Sequence, residues 1–332
     1  MDTKKPLVYS THMIPNEGLS ILNDNCVVKV SNEEGILPRS ILLEEVRGVD
    51  GILCFLTDVI DREAMEAAGN QLRVISNFAA GYDNIDVEEA TRRGILVTNT
   101  PGVLTETTAD LAWALLMAIA RRVVEGDKFV REGKFRGWNA LLFLGTDVHG
   151  ATLGIIGLGR IGQAMVRRAQ GFNMKVIYYD QEPVLPEIES ALNVSYRNLH
   201  NLLNEADFIS IHVPLTDRTF HLIGEKELKL MKKESYLINT SRGPVIDEKA
   251  LFKALQEEWI RGAALDVFEN EPEVEPGLLS LDNVILVPHI GSASYKTRSR
   301  MAIIAAENLV SALKGEIPEY LVNPEVLRPK NE

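Results

Sequence analysis

Short apolar runs alternate with amphipathic stretches along the first hundred residues. The apolar runs have the length and composition of buried strands and occupy positions 7–9, 27–30, 51–55, 74–76 and 95–97. Between them, apolar residues at helical spacing predict helices at 18–23, 38–47, 62–68 and 87–93. A repeated strand–helix order predicts a parallel sheet that helices cover on both faces.

The same alternation resumes after residue 150. Apolar runs predict further strands at 152–156, 175–179, 208–213, 235–239, 262–265 and 284–286, and a final helix is predicted at 293–314. This second series predicts another parallel sheet.

The segment between the two series is unusually apolar. Positions 105–122 predict a long helix that is apolar on several sides, which indicates burial between domains or between subunits. Positions 131–150 are irregular and contain Trp138 and an apolar cluster at 141–144. An exposed cluster of that size is typical of an interface, so we expect a homodimer.

Composition and charge narrow the class of protein. The 332 residues are 45% hydrophobic and 25% charged, which is typical of a globular protein of about two domains. The net charge of −12 argues against partners such as nucleic acid or an anionic membrane, so an anionic substrate needs a local positive site.

Cysteine content and the absence of targeting signals predict the compartment. Cys26 and Cys54 lie in or beside apolar runs and are expected to be buried free thiols. No apolar stretch reaches the length that spans a bilayer, and no signal core follows the N-terminal residues 1–5. We therefore expect a cytoplasmic protein.

A glycine-rich loop follows the apolar run at 152–156, and its residues are Gly157, Leu158, Gly159, Arg160, Ile161 and Gly162. In a strand–loop–helix unit, Gly157 permits a tight turn, Gly159 lets the backbone approach a pyrophosphate, and Gly162 lets the helix pack close to the strand. The start of the helix then offers free N–H groups to phosphates.

An acidic residue completes this pattern. Asp180 directly follows the apolar run at 175–179, where its carboxylate is placed to accept both hydroxyls of a ribose. Strand, glycine loop, helix, strand and acid in this order predict dinucleotide binding. The alternative is a chance glycine turn in another α/β fold.

Three titratable groups follow the ends of three late strands. Arg242, Glu271 and His289 come after the runs at 235–239, 262–265 and 284–286, at strand ends that face the cofactor crevice of a doubly wound sheet. The planar fork of Arg242 suits the carboxylate of a 2-keto acid. His289 suits protonation of a developing alkoxide, and Glu271 suits holding the imidazole in its protonated form.

Each of these residues also has a simpler interpretation. An arginine after a strand is usually solvated or salt-bridged at the surface, and a histidine after proline is usually a loop residue. Glu271 lies among Glu269, Glu273 and Glu275, in an acidic loop of the kind that generally faces water.

Several spaced motifs together resemble the D-isomer-specific 2-hydroxyacid dehydrogenase family over nearly the whole chain. They are residues 80–86, the glycine loop at 157–162, residues 239–243, residues 266–268 with Glu271 and Pro272, and residues 288–292. Residues 103–110 and 143–145 are most similar to the glyoxylate/hydroxypyruvate reductase branch. The resemblance implies hydride transfer from NADH to a small 2-keto acid, which gives the D-2-hydroxy acid. We expect no metal site.

The resemblance also implies site residues. It gives Arg242, Glu271 and His289 the roles argued above, and it places the substrate carboxylate on the backbone N–H groups of Ala80 and Gly81. Asp266 is expected to bind the nicotinamide carboxamide. The residues expected to line the rest of the cofactor cleft are Thr108, Val213, Pro214, Thr240 and Gly291.

Two departures from the family pattern affect specificity. Members that use the phosphorylated cofactor usually carry basic residues after the second nucleotide strand, whereas residues 180–183 here are acidic, so NADH is expected over NADPH. Relatives with a bulky indole before the Phe-Leu-Gly element place it near the substrate of the neighbouring subunit. That position is Leu142 here, which leaves the preference for hydroxypyruvate open.

Two other functions remain alternatives within the superfamily. Residues 133–138 are similar to phosphite dehydrogenases, although those carry a lysine where this chain has Ala80. NAD-responsive corepressors that bind short peptides keep the same three catalytic residues, but they usually carry extended disordered tails, and this chain has almost none.

The fold expected is α/β, with two doubly wound parallel-sheet domains. Residues 1–103 form the first part of a flavodoxin-like substrate domain, and residues 104–292 form a Rossmann NAD-binding domain inserted into it. Residues 293–332 form a helix and tail that return to the substrate domain, because the chain must cross back to complete it.

Overall fold

The computed structural model describes residues 5–328, which form two compact units. One unit contains the chain up to Leu104 and again from Ser292, and the other is Thr105–Gly291. The first four and last four residues of the expected domains, 1–4 and 329–332, lie outside the described residues.

Strands and helices alternate through the first unit: β1 (Leu7–Ser10), α1 (Asn16–Asn25), β2 (Val27–Val30), α2 (Arg39–Glu45), β3 (Gly51–Cys54), α3 (Arg62–Ala68), β4 (Val74–Asn77), α4 (Val87–Arg93) and β5 (Leu96–Thr98). The strands pair in parallel in the order β2-β1-β3-β4-β5. This is the flavodoxin-like order, so the expected fold class is confirmed for this unit.

The second unit contains seven α-helices and seven strands: α5 (Thr105–Ala120), α6 (Val123–Arg131), β6 (Thr152–Ile156), α7 (Arg160–Gln170), β7 (Lys175–Tyr179), α8 (Pro186–Leu192), β8 (Val194–Tyr196), α9 (Leu199–Glu205), β9 (Phe208–Ile211), α10 (Glu225–Leu228), β10 (Tyr236–Asn239), α11 (Glu248–Gln256), β11 (Gly262–Leu265) and β12 (Val284–Leu286). The strands pair in parallel in the order β12-β11-β10-β9-β6-β7-β8. Strand order reverses between β6 and β9, as in a Rossmann fold, and ligands bind at such switch points.

The last helix, α12 (Tyr295–Leu313), belongs to the first unit and packs in its core. Ala302, Ala305 and Leu309 are fully buried there. At Gly18 of α1, a Cβ atom would collide with the backbone of Ala302, so the two helices approach as closely as glycine allows. In the chain, the Rossmann-type unit is therefore inserted into a discontinuous flavodoxin-like unit, as expected.

The helix predicted at 105–122 is present as α5, two residues shorter at its end, and a separate helix that was not predicted, α6, follows it. α5 ends at Ala120, and Arg122 has a left-handed backbone with φ of +52° before α6 begins. Because a left-handed residue interrupts the helical hydrogen bonds, α5 and α6 are separate helices. Arg122 then pairs with Glu125, with Nη2 and Oε2 2.5 Å apart.

Smaller differences concern strand ends and short elements. The strand predicted at 208–213 is two residues shorter and ends at Ile211, three positions before Pro214. The sequence analysis did not identify α6, α8, β8, α9, α10 and α11. Cys26 and Cys54 are buried free thiols, as expected. Within residues 5–328, no helix is both long enough and apolar enough to cross a membrane.

Candidate active site

The glycine loop joins β6 to α7 at the switch point of the second sheet. Gly157 has φ of +94°, and a Cβ atom there would lie 2.8 Å from the carbonyl oxygen of His212. A Cβ atom at Gly162 would overlap the carbonyl of Gly157. Both positions therefore require glycine, for backbone conformation at the first and for close packing at the second.

The middle of the same loop is open. A Cβ atom at Gly159 would meet no atom of the described chain within 4 Å. Gly159 is also the N-cap of α7, and no side chain caps the helix there. Free N–H groups at a helix start beside open space form the kind of site that binds the phosphates of a dinucleotide.

Asp180 lies beside this loop, at the end of the neighbouring strand β7. Its Oδ2 accepts a hydrogen bond from the N–H of Leu158 at 3.0 Å, and its Oδ1 accepts one from the N–H of Gln181 at 2.8 Å. The carboxylate is therefore fixed next to the glycine loop, at the end of β7. Arg218 reaches the following residue, with Nη1 3.4 Å from Oε1 of Gln181.

Arg242 follows β10 in a turn that is stabilised by hydrogen bonds from the buried side chain of Asn239. Nδ2 of Asn239 donates to the carbonyl oxygen of Arg242 at 2.9 Å, and Oδ1 of Asn239 accepts from the N–H and hydroxyl of Ser241. Nη1 of Arg242 donates to the carbonyl of Ser241 at 2.9 Å. The turn therefore fixes where the guanidinium starts, and the charge of Arg242 is felt at Glu271.

His289 and Glu271 form a hydrogen-bonded pair. Nδ1 of His289 lies 2.9 Å from Oε2 of Glu271, and the side chains are 28% and 26% exposed. Because an ionised carboxylate only accepts, Nδ1 carries the proton in this bond. Nε2 bonds to nothing in the part of the chain that the structure describes. Oε1 of Glu271 accepts from the N–H of Phe268 at 3.0 Å.

The electrostatics of Glu271 favour its ionised form. Burial by itself raises the pKa of Glu271, but the hydrogen bond and charge of His289, the N–H of Phe268 and the charge of Arg242 outweigh burial and lower that pKa. Glu271 is thus a carboxylate at neutral pH and interacts favourably with a protonated imidazole.

Asp266 holds the loop that carries His289. Its side chain is fully buried at the end of β11, with Oδ1 accepting from the N–H of Ile290 at 2.6 Å and Oδ2 from the N–H of Gly291 at 2.8 Å. Burial raises the pKa of Asp266 in spite of these bonds and of the charge of His289. Both oxygens already have backbone partners, in addition to any contact with a nicotinamide carboxamide.

The other expected cofactor residues lie around the same strand ends. Thr108 is buried in the first turn of α5, and a Cβ atom at Gly291 would lie 3.4 Å from its Cγ2. Oγ1 of Thr240 is buried and has no hydrogen-bond partner in residues 5–328. Val213 and Pro214 follow β9, and Val213 is in contact range of Gly157. The buried hydroxyl of Thr240, which lacks a partner in residues 5–328, is suited to a hydrogen bond with a polar ligand.

Ala80 and Gly81 lie in the first unit, in the loop after β4. Nδ2 of Asn99 donates to the carbonyl of Ala80 at 2.6 Å, and Nδ2 of Asn77 donates to the carbonyl of Gly81 at 2.8 Å. Within the described residues, neither Ala80 nor Gly81 uses its N–H in a hydrogen bond. Two consecutive free N–H groups suit an anion such as a carboxylate.

Sequence reasoning missed the side chains that hold these loops. Asn77 and Asn239 are each the last residue of a mostly apolar strand, and both are buried. A polar residue at the carboxyl end of an apolar run was the available signal, because a buried amide there needs backbone partners in the following turn. Residues 5–328 contain no group of three or more His, Cys, Asp or Glu side chains that could hold a metal ion.

Comparisons with known proteins agree on one family. The family "D-isomer specific 2-hydroxyacid dehydrogenase, NAD binding domain" matches residues 113–291. The glyoxylate reductase of Korarchaeum cryptofilum is 54% identical over 326 residues, which cover 98% of each chain.

Solved structures give the same result. A glyoxylate reductase from Paecilomyes thermophila superposes with a TM-score of 0.85 at 35% identity and covers 96% of this chain and 99% of its own. An NADPH-dependent glyoxylate/hydroxypyruvate reductase from Sinorhizobium meliloti, in complex with NADP and malonate, has a TM-score of 0.86 at 32% identity and covers 99% and 100%.

Proposed function

Because the chain belongs to the D-isomer-specific 2-hydroxyacid dehydrogenase family, we propose that it reduces glyoxylate and similar small 2-keto acids, such as hydroxypyruvate, to D-2-hydroxy acids with NADH. The observation that carries the proposal is the His289–Glu271 pair, since a protonated imidazole held by a carboxylate is the acid that carbonyl reduction needs.

The cofactor site fits a nicotinamide dinucleotide. Gly157, Gly159 and Gly162 leave a loop that is open on one side, α7 supplies uncapped N–H groups for the pyrophosphate, and Asp180 suits the ribose hydroxyls. The hydroxyl of Thr240 and the loop of Asp266 and Gly291 suit the nicotinamide end. A bound NADH supplies the hydride for the carbonyl carbon.

The chain's own residues bind and polarise the substrate. Arg242 provides a bidentate cation for the keto-carboxylate. In the other unit, the free N–H groups of Ala80 and Gly81 suit the oxygens of a carboxylate. Nε2 of His289 donates the proton to the carbonyl oxygen as the alkoxide develops. Glu271 stabilises the imidazolium before transfer and keeps Nδ1 protonated afterwards.

The assignment of NADH rests on the acidic end of β7. A 2′-phosphate would lie near the carboxylate of Asp180 and would be repelled. One related structure is NADPH-dependent, so nicotinamide binding belongs to the family and the choice between the two cofactors is our proposal for this chain.

We also propose a homodimer in the cytoplasm. Between α6 and β6, Trp138 is 87% exposed, Leu141 77% and Leu144 57%, and this apolar segment is suited to covering by a second copy. Two buried free cysteines fit a reducing compartment.

The test is a steady-state panel of glyoxylate, hydroxypyruvate, pyruvate and longer 2-keto acids with both cofactors. Glyoxylate should be reduced at an ordinary enzymic rate. Phosphite oxidation without keto-acid reduction would overturn the proposal, as would cofactor binding without turnover. Neither alternative is favoured, because the matched relatives are glyoxylate reductases and Ala80 stands where phosphite dehydrogenases have lysine.

A further inference from the structure

The loop that carries Glu271 is bonded at both ends by one buried side chain. Glu248 is the first residue of α11 and is 5% exposed. Its Oε1 accepts from the N–H of Glu269 at 2.6 Å, and its Oε2 accepts from the N–H of Glu275 at 3.2 Å. The segment between these two amides, residues 269–275, contains Glu271, so a single carboxylate closes this loop.

A second set of contacts reinforces the first end of the loop. The backbone N–H of Glu248 donates to Oε2 of Glu269 at 3.1 Å, which makes the bonding between these two residues reciprocal. Oε1 of Glu269 lies 3.0 Å from Nε2 of His221. Just before Glu269, Phe268 packs so tightly on Gly243 that a Cβ atom at Gly243 would overlap its backbone. The start of the loop is thereby fixed to the turn that carries Arg242.

Burial of the charged Glu248 carboxylate is energetically unfavourable. Burial raises the pKa of Glu248, the N–H groups of Glu269 and Glu275 oppose that rise, and the carboxylates of the same two residues add to it. A buried carboxylate that lies near two other carboxylates is not an efficient way to stabilise a fold. Its benefit is geometric, because its two oxygens accept from both ends of one loop.

We infer that Glu248 is a positioning residue for the proposed reaction: it holds the 269–275 loop so that the carboxylate of Glu271 stays within hydrogen-bond distance of Nδ1 of His289. The inference rests on the proposed function for the role of His289 as acid. Displacement of a catalytic group by about 1 Å is enough to cost roughly 10²-fold in rate. Among the described residues, Glu248 is the one carboxylate that bonds to the N–H groups at both ends of the 269–275 loop.

The first test replaces Glu248 with glutamine. Glu248→Gln keeps the size of the side chain, but one oxygen becomes an amide NH₂ that cannot accept, so one end of the loop is released. The reductive kcat/KM should fall about tenfold, and the alkaline limb of its pH profile should move to lower pH. The Kd for NADH should stay within about twofold, because the glycine loop and Asp180 lie on other elements.

The matched control is Glu257→Gln, the same chemical change at the exposed C-terminal end of α11. It should leave kcat/KM and the pH profile unchanged. In the double variant Glu248→Gln/Glu271→Gln, the alkaline limb should lie where Glu271→Gln alone puts it, because Glu248 acts through Glu271. If the two shifts add, Glu248 does not act through Glu271.

The second test does not depend on turnover. In protein with ¹⁵N-labelled histidine, the Nδ1 proton of His289 should give a strongly deshielded resonance, since it is bonded to a carboxylate, and His289→Gln assigns it among the six histidines. Glu248→Gln should weaken this resonance or move it upfield. If Glu248→Gln does not fold, Glu248→Asp, which is one methylene shorter and reaches one amide less well, should give the same changes.

The two proposals fail in different ways. A protein that reduces no keto acid but whose His289 resonance responds to Glu248→Gln would remove the proposed function and leave the positioning role. A variant that is only less heat-stable, with its pH profile and His289 resonance unchanged, would overturn the positioning role.

Discussion

His289 and Glu271 are 18 positions apart in sequence, yet their side chains meet at 2.9 Å, and what brings them together is a set of polar side chains behind them. Asp266 binds the two amides that follow His289, and Asn239 binds the turn of Arg242. The motif residues could be read from the sequence because their chemistry is distinctive. Their supports could not, because a buried amide or carboxylate shows its partners only when the strands are assembled.

Removal of the Glu271 charge should change the pH dependence of the reaction. Reduction needs His289 protonated, so the reductive kcat/KM should fall as pH rises and the oxidative one should increase. Glu271→Gln keeps the shape but loses the charge that stabilises the imidazolium, so the alkaline limb should move to lower pH and activity should persist in acid. Paired pH–rate profiles measure this, and coincident alkaline limbs would show that Glu271 does not act on His289.

Cofactor choice should depend on Asp180. NADH should exceed NADPH by at least about tenfold in kcat/KM, which corresponds to about 1.4 kcal/mol of discrimination. Asp180→Ala removes the carboxylate beside the glycine loop and should narrow that gap. Arg218→Gln is the comparison variant, because it removes the cation that reaches Gln181. It should lower kcat/KM with NADPH and leave kcat/KM with NADH unchanged. A wild-type preference for NADPH would contradict the interpretation of Asp180.

At the scale of elements, the central apolar strands were predictable and the short peripheral ones were not. The strands β3, β4, β9, β10 and β11 are buried at every position, and most of their residues are apolar. β8 has three residues and one exposed position, and α8 buries none of its residues, so neither leaves a clear periodic pattern. The break between α5 and α6 occurs at one left-handed residue, Arg122. A glycine at this position would have indicated such a backbone conformation, but an arginine does not.

The contact between α1 and α12 should be sensitive to one methyl group. Alanine favours a helix over glycine by about 1 kcal/mol, but at Gly18 the added Cβ collides with the backbone of Ala302, and overpacking costs about 1–3 kcal/mol. Gly18→Ala should therefore lower the midpoint of urea unfolding. The control is Gly126→Ala in α6, where a Cβ meets nothing within 4 Å, and it should be neutral or stabilising. Equal stabilisation by both substitutions would contradict the close contact.

At the scale of the whole molecule, a net charge of −12 and an exposed apolar segment have opposite consequences. The charge opposes non-specific association with nucleic acid and anionic surfaces. The segment around Trp138 favours one specific contact, because burial of its large apolar side chains removes them from water.

Light scattering at micromolar concentration should therefore give the mass of a dimer, twice 36.9 kDa. Trp138→Ser together with Leu141→Ser should shift the equilibrium towards monomer, since both side chains are more than three-quarters exposed in the isolated chain. Phe220→Ser, at an exposed aromatic position elsewhere in the same unit, should leave the mass unchanged. A wild-type monomer would refute the proposed assembly.

The sequence by itself determined the two α/β series, the glycine loop with its acid and the three titratable residues after late strands, because these depend on local periodicity and on residues with few alternative uses. Only the tertiary structure decided which polar side chains hold those residues in place. The side chains of Glu248 and Asn99 form hydrogen bonds with backbone groups that are distant in sequence. Those of Asn77 and Asn239 bond to the backbone of turns whose shape the sequence does not specify. Hydrogen bonds of this kind have no period along the chain, and they exist only when parallel strands bring their carboxyl ends to one edge.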